Sequence, residues 1–228
     1  MSEERRALAR AVKRHAEGLR ALGVEVLPAM RRVEAESTQA DPGPSRVERL
    51  AHVVRDVEAC RRCPLYRTRT HAVVGEGSLT AHLVFVGEAP GREEDLQGKP
   101  FVGAAGQLLN KMIRAMGLRR EDVYICNVLK DRPPQNRTPL PEEMEACFPF
   151  LRAQLDIIQP NVICTLGAVA TKAFLGAHIS IMKIRGEVRD YDGIPLVPTL
   201  HPAYLLRNPP AKRLAWDDLK KVKRLLGT

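Results

Sequence analysis

Apolar positions recur along this chain in two ways, one typical of helices and one typical of buried strands. Apolar residues three and four positions apart predict helices at 4–22, 47–59, 103–116, 141–158, 167–175 and 211–226. Short, continuous apolar runs predict strands at 83–87, 123–129 and 161–166. The Asp192-Gly193 pair predicts a hairpin between 188–190 and 195–200. Strands that alternate with such helices favour an α/β fold, a three-layer α/β/α sandwich around a central, mostly parallel four-stranded sheet.

Residues 35–46 separate two parts of the chain. Their sequence, Ala-Glu-Ser-Thr-Gln-Ala-Asp-Pro-Gly-Pro-Ser-Arg, has the composition of a linker. We therefore expect an N-terminal helical appendage at 1–34 and one domain at 47–228. A chain of 228 residues has room for both.

Composition and charge narrow the class of protein. No apolar run reaches the length of a membrane span, and the first residues lack the apolar stretch of a signal peptide, so we expect a cytoplasmic protein. We also expect it to be a monomer. The net charge is +9, and seven Lys/Arg stand against two Asp between Arg207 and Thr228. A basic region of this kind indicates a polyanionic partner, the alternative being a solvated helix. The aromatic content of 4% argues against a wide base-stacking platform.

Five cysteines make an odd number for a chain of this kind, and a disulfide framework is not expected in the cytoplasm. Cys60 and Cys63 form a Cys-x-x-Cys pair that could clamp a metal, and Cys147 could be a third ligand. Zinc and iron–sulfur sites usually have four ligands, so the pair alone is a weak signal. Cys126 and Cys164 lie in apolar strands, where packing explains them.

Candidate chemistry gathers at three predicted loops. The strand at 83–87 runs into the acid-rich turn Gly87-Glu88-Ala89-Pro90-Gly91. Ligands of open α/β sheets bind outside the carboxyl ends of the strands, where this turn would lie. Phe101 follows in a glycine-flanked segment, and a His201-Pro202 turn occurs near the other end of the chain. An acid, an aromatic ring and an imidazole at these loops could form a pocket for a flat polar ring.

Taken together, five segments resemble family 4 uracil-DNA glycosylases in order and spacing, from about Arg46 to the end of the chain. They are 87–95, Gly98-Lys99-Pro100-Phe101-Val102-Gly103, Asn127, Arg132-Pro133-Pro134-Gln135-Asn136-Arg137 and His201-Pro202-Ala203-Tyr204. The family has a three-layer α/β/α fold and a [4Fe–4S] cluster. The resemblance implies a monofunctional glycosylase of base-excision repair, which hydrolyses the N-glycosidic bond of deoxyuridine in single- or double-stranded DNA and leaves an abasic site.

The resemblance also implies a set of uracil-binding residues: Gly87, Ala89, Phe101, Asn127 and His201. Phe101 would stack on the flipped base, and Asn127 would bond N3–H and O4 along its Watson–Crick edge. His201 would donate to O2, where negative charge develops as the bond breaks. The alternatives are a core Phe, an Asn bonded to a loop and a His that caps a turn.

Two glutamates are candidates for catalysis. Better-known uracil glycosylases carry a water-activating Asp in the first motif, and family 4 does not have it in the same place. We predict that Glu94 stabilises the cationic sugar of the transition state and that Glu88 is a pocket residue that helps to position water. The alternative for the acids at 93–95 is a solvated helix start.

DNA contacts are expected on either side of the pocket. Arg132, Arg137 and Arg207 would bind phosphates, which makes affinity fall with salt. By resemblance, the segment with Leu206 would enter the minor groove beside the flipped nucleotide, as apolar wedges do.

The cluster ligands depart from the family at one position. The resemblance maps three ligands onto Cys60, Cys63 and Cys147, but Asp131 stands where the fourth cysteine is usual, just before Arg132-Pro-Pro. Three arrangements are open: Asp131 binds iron, Cys126 replaces it, or the fourth iron is labile or bound by water. We predict direct ligation by Asp131, although a carboxylate is a harder ligand than a thiolate.

Two other functions are weighed against this one. A related cross-linking protein traps the sugar with a His on an inserted basic loop, but here Arg137 is followed directly by Thr138-Pro139-Leu140. A noncatalytic iron–sulfur DNA-binding module would not need an intact set of Phe101, Asn127 and His201. No Lys is placed at the pocket loops for Schiff-base chemistry, so lyase activity is not expected.

Overall fold

The computed structural model describes residues 43–227. The predicted helix at 4–22, the appendage at 1–34 and most of the linker at 35–46 lie outside the described residues, so the domain division stays a prediction. None of the helices in the described part is long and apolar enough to cross a bilayer.

Eight α-helices are present within residues 43–227. They are α1 (Arg46–Glu58), α2 (Arg92–Gln97), α3 (Ala104–Ala115), α4 (Pro141–Ile158), α5 (Ala168–Leu175), α6 (Ile181–Ile184), α7 (Pro202–Arg207) and α8 (Lys212–Leu226). Four 3₁₀ turns connect them, at Pro64–Arg67, Arg120–Asp122, Pro134–Asn136 and Pro209–Ala211. The five helices predicted between 47 and 226 are confirmed, with ends that differ by at most one residue.

The same residues form one sheet of six strands. They are β1 (Glu76–Gly77), β2 (Leu83–Gly87), β3 (Tyr124–Asn127), β4 (Val162–Leu166), β5 (Arg189–Tyr191) and β6 (Ile194–Thr199), in the spatial order β1-β3-β2-β4-β6-β5. The four central strands, β3, β2, β4 and β6, are parallel. The two edge strands, β1 and β5, run antiparallel to their neighbours.

The prediction of four strands was therefore wrong in number, although the parallel core was right. The hairpin at Asp192-Gly193 is confirmed, and its first strand extends the sheet as β5. β1 has only two residues, too few to show any hydrophobic alternation. β3 ends at Asn127, earlier than predicted, although Val128 and Leu129 still donate to the carbonyls of Gly87 and Glu88.

β2 is buried on both faces, and its side chains alternate between two cores. Val84 and Val86 belong to the core that includes residues of α1 and α4. Leu83 and Phe85 belong to the core that includes residues of α3 and α8. A strand covered on both sides reads as a continuous apolar run, which is why 83–87 was recognisable in the sequence.

The order of the strands creates a crevice at one edge of the sheet. β3 pairs with one side of β2 and β4 with the other, so the two connections out of this region diverge. In open α/β sheets the carboxyl ends at such a switch point form the binding site. The turn after β2, the end of β3 and the turn after β6 all open there.

Candidate active site

A cavity of about 410 Å³ lies at this edge of the sheet. Eight of the residues predicted for the site line it: Glu88, Ala89, Glu94, Phe101, Asn127, Arg137, His201 and Arg207. Residues from five separate segments of the chain thus meet in one space. Gly87 lies directly beneath, whereas Arg132 and Leu206 are outside the lining.

Asn127 is buried at the end of β3 and carries an unsatisfied acceptor. Its side-chain Oδ1 is the buried side-chain oxygen for which residues 43–227 offer no hydrogen-bond partner. A Cβ at Gly87 would lie 2.3 Å from this oxygen and 2.5 Å from Cζ of Phe101, so only glycine fits there. Leaving such an acceptor unpaired costs about 1–3 kcal/mol, which an N–H donor of a ligand would recover.

The main chain of Asn127 is held by a lysine that sequence reasoning missed. Lys130 is 1% exposed, and its Nζ donates to the carbonyl of Asn127 at 2.8 Å and to Oε1 of Gln154 at 2.6 Å. Gln154 in turn donates to the carbonyl of Val74 and to the hydroxyl of Tyr124, each at 2.9 Å. The polar side-chain atoms of Lys130, Gln154 and Tyr124 therefore all have partners within this buried network.

Phe101 adopts a backbone conformation that is rare for a residue with a side chain. Its φ is +53°, in the left-handed region, which costs about 1–3 kcal/mol and is maintained only by the surrounding structure. The ring is 6% exposed, and its centroid lies 5.8 Å from that of His201 with 34° between the planes. The two rings thus form adjacent walls of the cavity.

Glu94 braces the segment that follows Phe101. Its Oε1 accepts hydrogen bonds from the amides of Val102 at 2.9 Å and Gly103 at 3.0 Å. Its Oε2 is directed towards Gly91, where a Cβ would lie 2.8 Å away. The carboxylate therefore supports the backbone with one oxygen while it forms part of the cavity wall.

His201 is the N-cap of α7 and is neutral. Its Nδ1 accepts a hydrogen bond from the amide of Ala203 at 3.1 Å. Burial, followed by the nearby Arg207 guanidinium, lowers the pKa of the imidazole to about 4. In a neutral ring whose Nδ1 is an acceptor, Nε2 carries the proton and is a hydrogen-bond donor.

Glu88 also lines the cavity, and burial raises the pKa of its carboxyl above the usual value. Gly167, in the loop after β4, has a φ of +90°, and a Cβ there would lie 2.8 Å from Cβ of His201. The loop after β4 approaches the histidine closely because this residue has no side chain.

The predicted phosphate-binding arginines differ in their surroundings. Arg137 makes two hydrogen bonds to the buried carboxylate of Glu143, at 2.8 and 2.5 Å, and its hydrogen bond is the main reason that the pKa of Glu143 is lowered. Arg132 donates to Oδ1 of Asn136 at 2.7 Å. Arg207 lies at the end of α7 on the cavity wall, beside Leu206, which is 42% exposed. Sequence reasoning did not anticipate the pairing of Arg137.

The predicted cluster ligands line a second, small crevice of about 10 Å³. Cys60, Cys63, Asp131 and Cys147 all border it, and Cys126 does not. Burial raises the pKa of the Cys147 thiol to about 11 and that of Cys63 above its usual value. Within residues 43–227, no three His, Cys, Asp or Glu side chains are grouped closely enough to hold one metal ion.

Asp131 is also engaged by an arginine. Nη1 of Arg69 donates to both of its carboxylate oxygens, at 2.9 and 3.1 Å. The same nitrogen donates to the carbonyl of Val57 at 3.2 Å, so the guanidinium bridges α1 and Asp131. Arg69 was not singled out in the sequence.

Comparisons with known proteins show which family the chain belongs to. A family model described as the uracil DNA glycosylase superfamily matches residues 74–220. A type-4 uracil-DNA glycosylase of Thermotoga maritima is 51% identical over 80% of this chain and 97% of its own length. Those of Archaeoglobus fulgidus and Sulfurisphaera tokodaii are each 45% identical, over 79% and 80% of this chain and 95% and 87% of their own lengths. The chain therefore belongs to the uracil-DNA glycosylase superfamily and, within it, to the type-4 family.

Proposed function

We infer that this protein excises uracil from DNA by hydrolysing the N-glycosidic bond of deoxyuridine, the first step of base-excision repair. The observation that carries this inference is the buried, unpaired Oδ1 of Asn127 beside an aromatic ring and a neutral histidine in one cavity. The type-4 relatives, at 42–51% identity, support the same activity.

Recognition of the base follows from the two hydrogen-bonding groups of Asn127. Uracil presents a donor at N3 and an acceptor at O4, which match the side-chain oxygen and amide nitrogen of Asn127. Cytosine presents an acceptor and an amino group at these positions and would be mismatched. Phe101 contacts the face of the extruded base, which must leave the duplex to reach this depth.

The chemical step depends on charge that develops as the bond breaks. The base becomes negative, and the Nε2–H of His201 donates to O2; a preorganised donor of this kind lowers the barrier by roughly 3–4 kcal/mol. The sugar becomes positive, and Glu94 stabilises it through Oε2. Glu88 helps to position the water that completes hydrolysis.

DNA binding uses the rim of the cavity. Arg207 and Arg132 contact phosphates. Arg137, in the same loop as Arg132, supports that loop through its hydrogen bonds to Glu143. The exposed Leu206 fills the space that the flipped nucleotide leaves. We propose that the protein acts as a monomer on single- or double-stranded DNA.

We also propose a [4Fe–4S] cluster held by Cys60, Cys63, Cys147 and Asp131. The donor set fits, since three thiols and a carboxylate border one crevice, and each would bind its own iron and need not converge on a single ion. The exclusion of Cys126 from the crevice favours Asp131 as the fourth ligand. When bound, the cluster would tie the 60–63 loop to α4, and hydrolysis requires no electron from it.

One assay tests the activity. The protein is incubated with oligonucleotides that contain one deoxyuridine, single- or double-stranded, and the products are treated with alkali. Cleavage only after alkali is expected. An adduct that survives detergent would indicate a cross-linking protein, and intact DNA would indicate a noncatalytic module.

A further inference from the structure

We propose that Arg120 is a positioning residue of the uracil site, which acts by fixing the left-handed backbone of Phe101. This inference rests on the proposed function, because it assigns Arg120 a part in binding the base. Arg120 does not line the cavity, so any effect on base binding must pass through another residue.

The guanidinium of Arg120 binds two successive carbonyls at the aromatic wall. Nη2 donates to the carbonyl of Pro100 at 2.6 Å, and Nη1 donates to that of Phe101 at 3.3 Å. Two further hydrogen bonds, to side chains away from Phe101, fix the orientation of the guanidinium. Nη1 also donates to Oδ1 of Asn110 at 2.9 Å, and Nη2 to Oε2 of Glu76 at 3.1 Å. Arg120 thus connects Phe101 to α3 and to the edge strand β1.

The same segment is held from its other side. Glu94 accepts from the amides of Val102 and Gly103, directly after Phe101. Gly106 leaves room for the carbonyl of Phe101, because a Cβ there would lie 1.8 Å from this oxygen. Arg120 and Glu94 therefore form hydrogen bonds to consecutive peptide groups on the two sides of Phe101, the residue with the left-handed backbone.

The position of the ring depends on this backbone. Cζ of Phe101 would lie 2.5 Å from a Cβ at Gly87, and the ring adjoins His201. A released backbone would relax towards negative φ and turn the ring away from the face that the base occupies. The expected loss is one of base binding, which raises KM and leaves kcat nearly unchanged.

A double-mutant cycle tests whether Arg120 acts through Phe101. The proteins are the wild type, Arg120→Met, Phe101→Ala and the double variant, and the readouts are KM, kcat and the inhibition constant of free uracil. In the wild-type background, Arg120→Met should raise the inhibition constant and KM by about ten-fold, with kcat within about three-fold. In the Phe101→Ala background, the same change should matter by less than about two-fold.

Arg119→Met is the matched control. Arg119 precedes Arg120 in the chain, is 71% exposed and bonds to Asp122 and Glu121 at the surface. It should leave every readout at the wild-type value. An Arg120→Met effect of equal size in both backgrounds, or an equal effect of Arg119→Met, would overturn the proposal.

Folding is checked by circular dichroism and thermal melting. If Arg120→Met does not fold, Arg120→Lys, which keeps one donor for the Pro100 carbonyl, takes its place with an expected change of about three-fold. A wild-type protein that leaves deoxyuridine intact would overturn the proposed function. If the wild type is active and the effects of Arg120→Met and Phe101→Ala are additive, only the role of Arg120 would be overturned.

Discussion

The amide of Ala203 donates a hydrogen bond to Nδ1 of His201 at 3.1 Å, and this one contact decides which nitrogen of the ring carries a proton. The first turn of α7 thereby directs an Nε2–H donor away from the helix. The pKa of about 4 keeps the ring neutral at physiological pH.

The lowered pKa of His201 makes a prediction about stability and pH. Above pH 6.5 the histidine is neutral in both the folded and the unfolded chain. As pH falls from 6.5 to about 4, the unfolded chain takes up a proton that the folded one does not, so stability is lost; below about 4 the loss stops. In urea titrations, His201→Gln should lose less unfolding free energy over this window than the wild type. Equal losses would contradict a buried, neutral histidine.

The unpaired oxygen of Asn127 predicts a specific ligand effect. Free uracil at about 100 times its dissociation constant should stabilise the wild type by about 2.7 kcal/mol, seen as a rise in Tm. Asn127→Ala should show no rise. The matched ligand control is 3-methyluracil, which lacks the N3–H donor and should leave the wild-type Tm unchanged. A shift with the methylated base would argue that Oδ1 of Asn127 has another partner.

Glu94 combines a bracing role with a charge, and two variants separate them. Glu94→Gln keeps an oxygen for the amides of Val102 and Gly103 but removes the charge. It should keep the wild-type Tm and lower single-turnover rates by about ten-fold or more. Glu94→Ala should lose both Tm and rate. A Glu94→Gln protein with the wild-type rate would leave Glu94 as a brace alone.

Iron content and Mössbauer spectra test the cluster. Cys147→Ser should lose iron, whereas Cys126→Ala, outside the crevice, should keep it. Asp131→Cys should change the signal of one iron in four, because a thiolate replaces a harder carboxylate. Spectra identical to those of the wild type would exclude Asp131 as a ligand, and loss of iron in Cys126→Ala would point to that cysteine instead.

Two arginines near the cavity should behave differently. Arg207→Gln should make the slope of log affinity against log salt less negative by about 0.9 for duplex DNA, since one phosphate contact is lost. Arg137→Gln should lower the free energy of unfolding by about 1–3 kcal/mol, because it removes the charged partner of the buried Glu143 and leaves only the amide of Leu140. Exchange of these two results between the variants would reverse their assigned roles.

The central strands and most of the cavity were predictable because their signals are local. β2 is a continuous apolar run that ends in the glycine-rich turn at 87–91, and the His201-Pro202 turn directly follows β6. Parallel strands bring such ends to the same edge of the sheet. The places of Asn127, Arg137 and Arg207 were expected only from the resemblance to the family.

The supporting residues were not predictable, because their contacts are formed only in the folded structure. Lys130 is fully buried, against the general tendency of lysine, and its partner Gln154 is 24 residues away. Arg120 reaches Phe101 across 19 residues, and Arg137 turns to Glu143 at the start of α4. Such pairings depend on how helices pack against the sheet, which hydrophobic periodicity does not encode.

The lysine under the end of β3 has a consequence for how this pocket could change. Lys130 grips the peptide oxygen of Asn127, while the amide that faces the base stays outside that grip. Replacing the side chain at 127 would therefore leave the strand end in place. Evolution or design could therefore replace the side chain that recognises the base without changing the backbone that carries it.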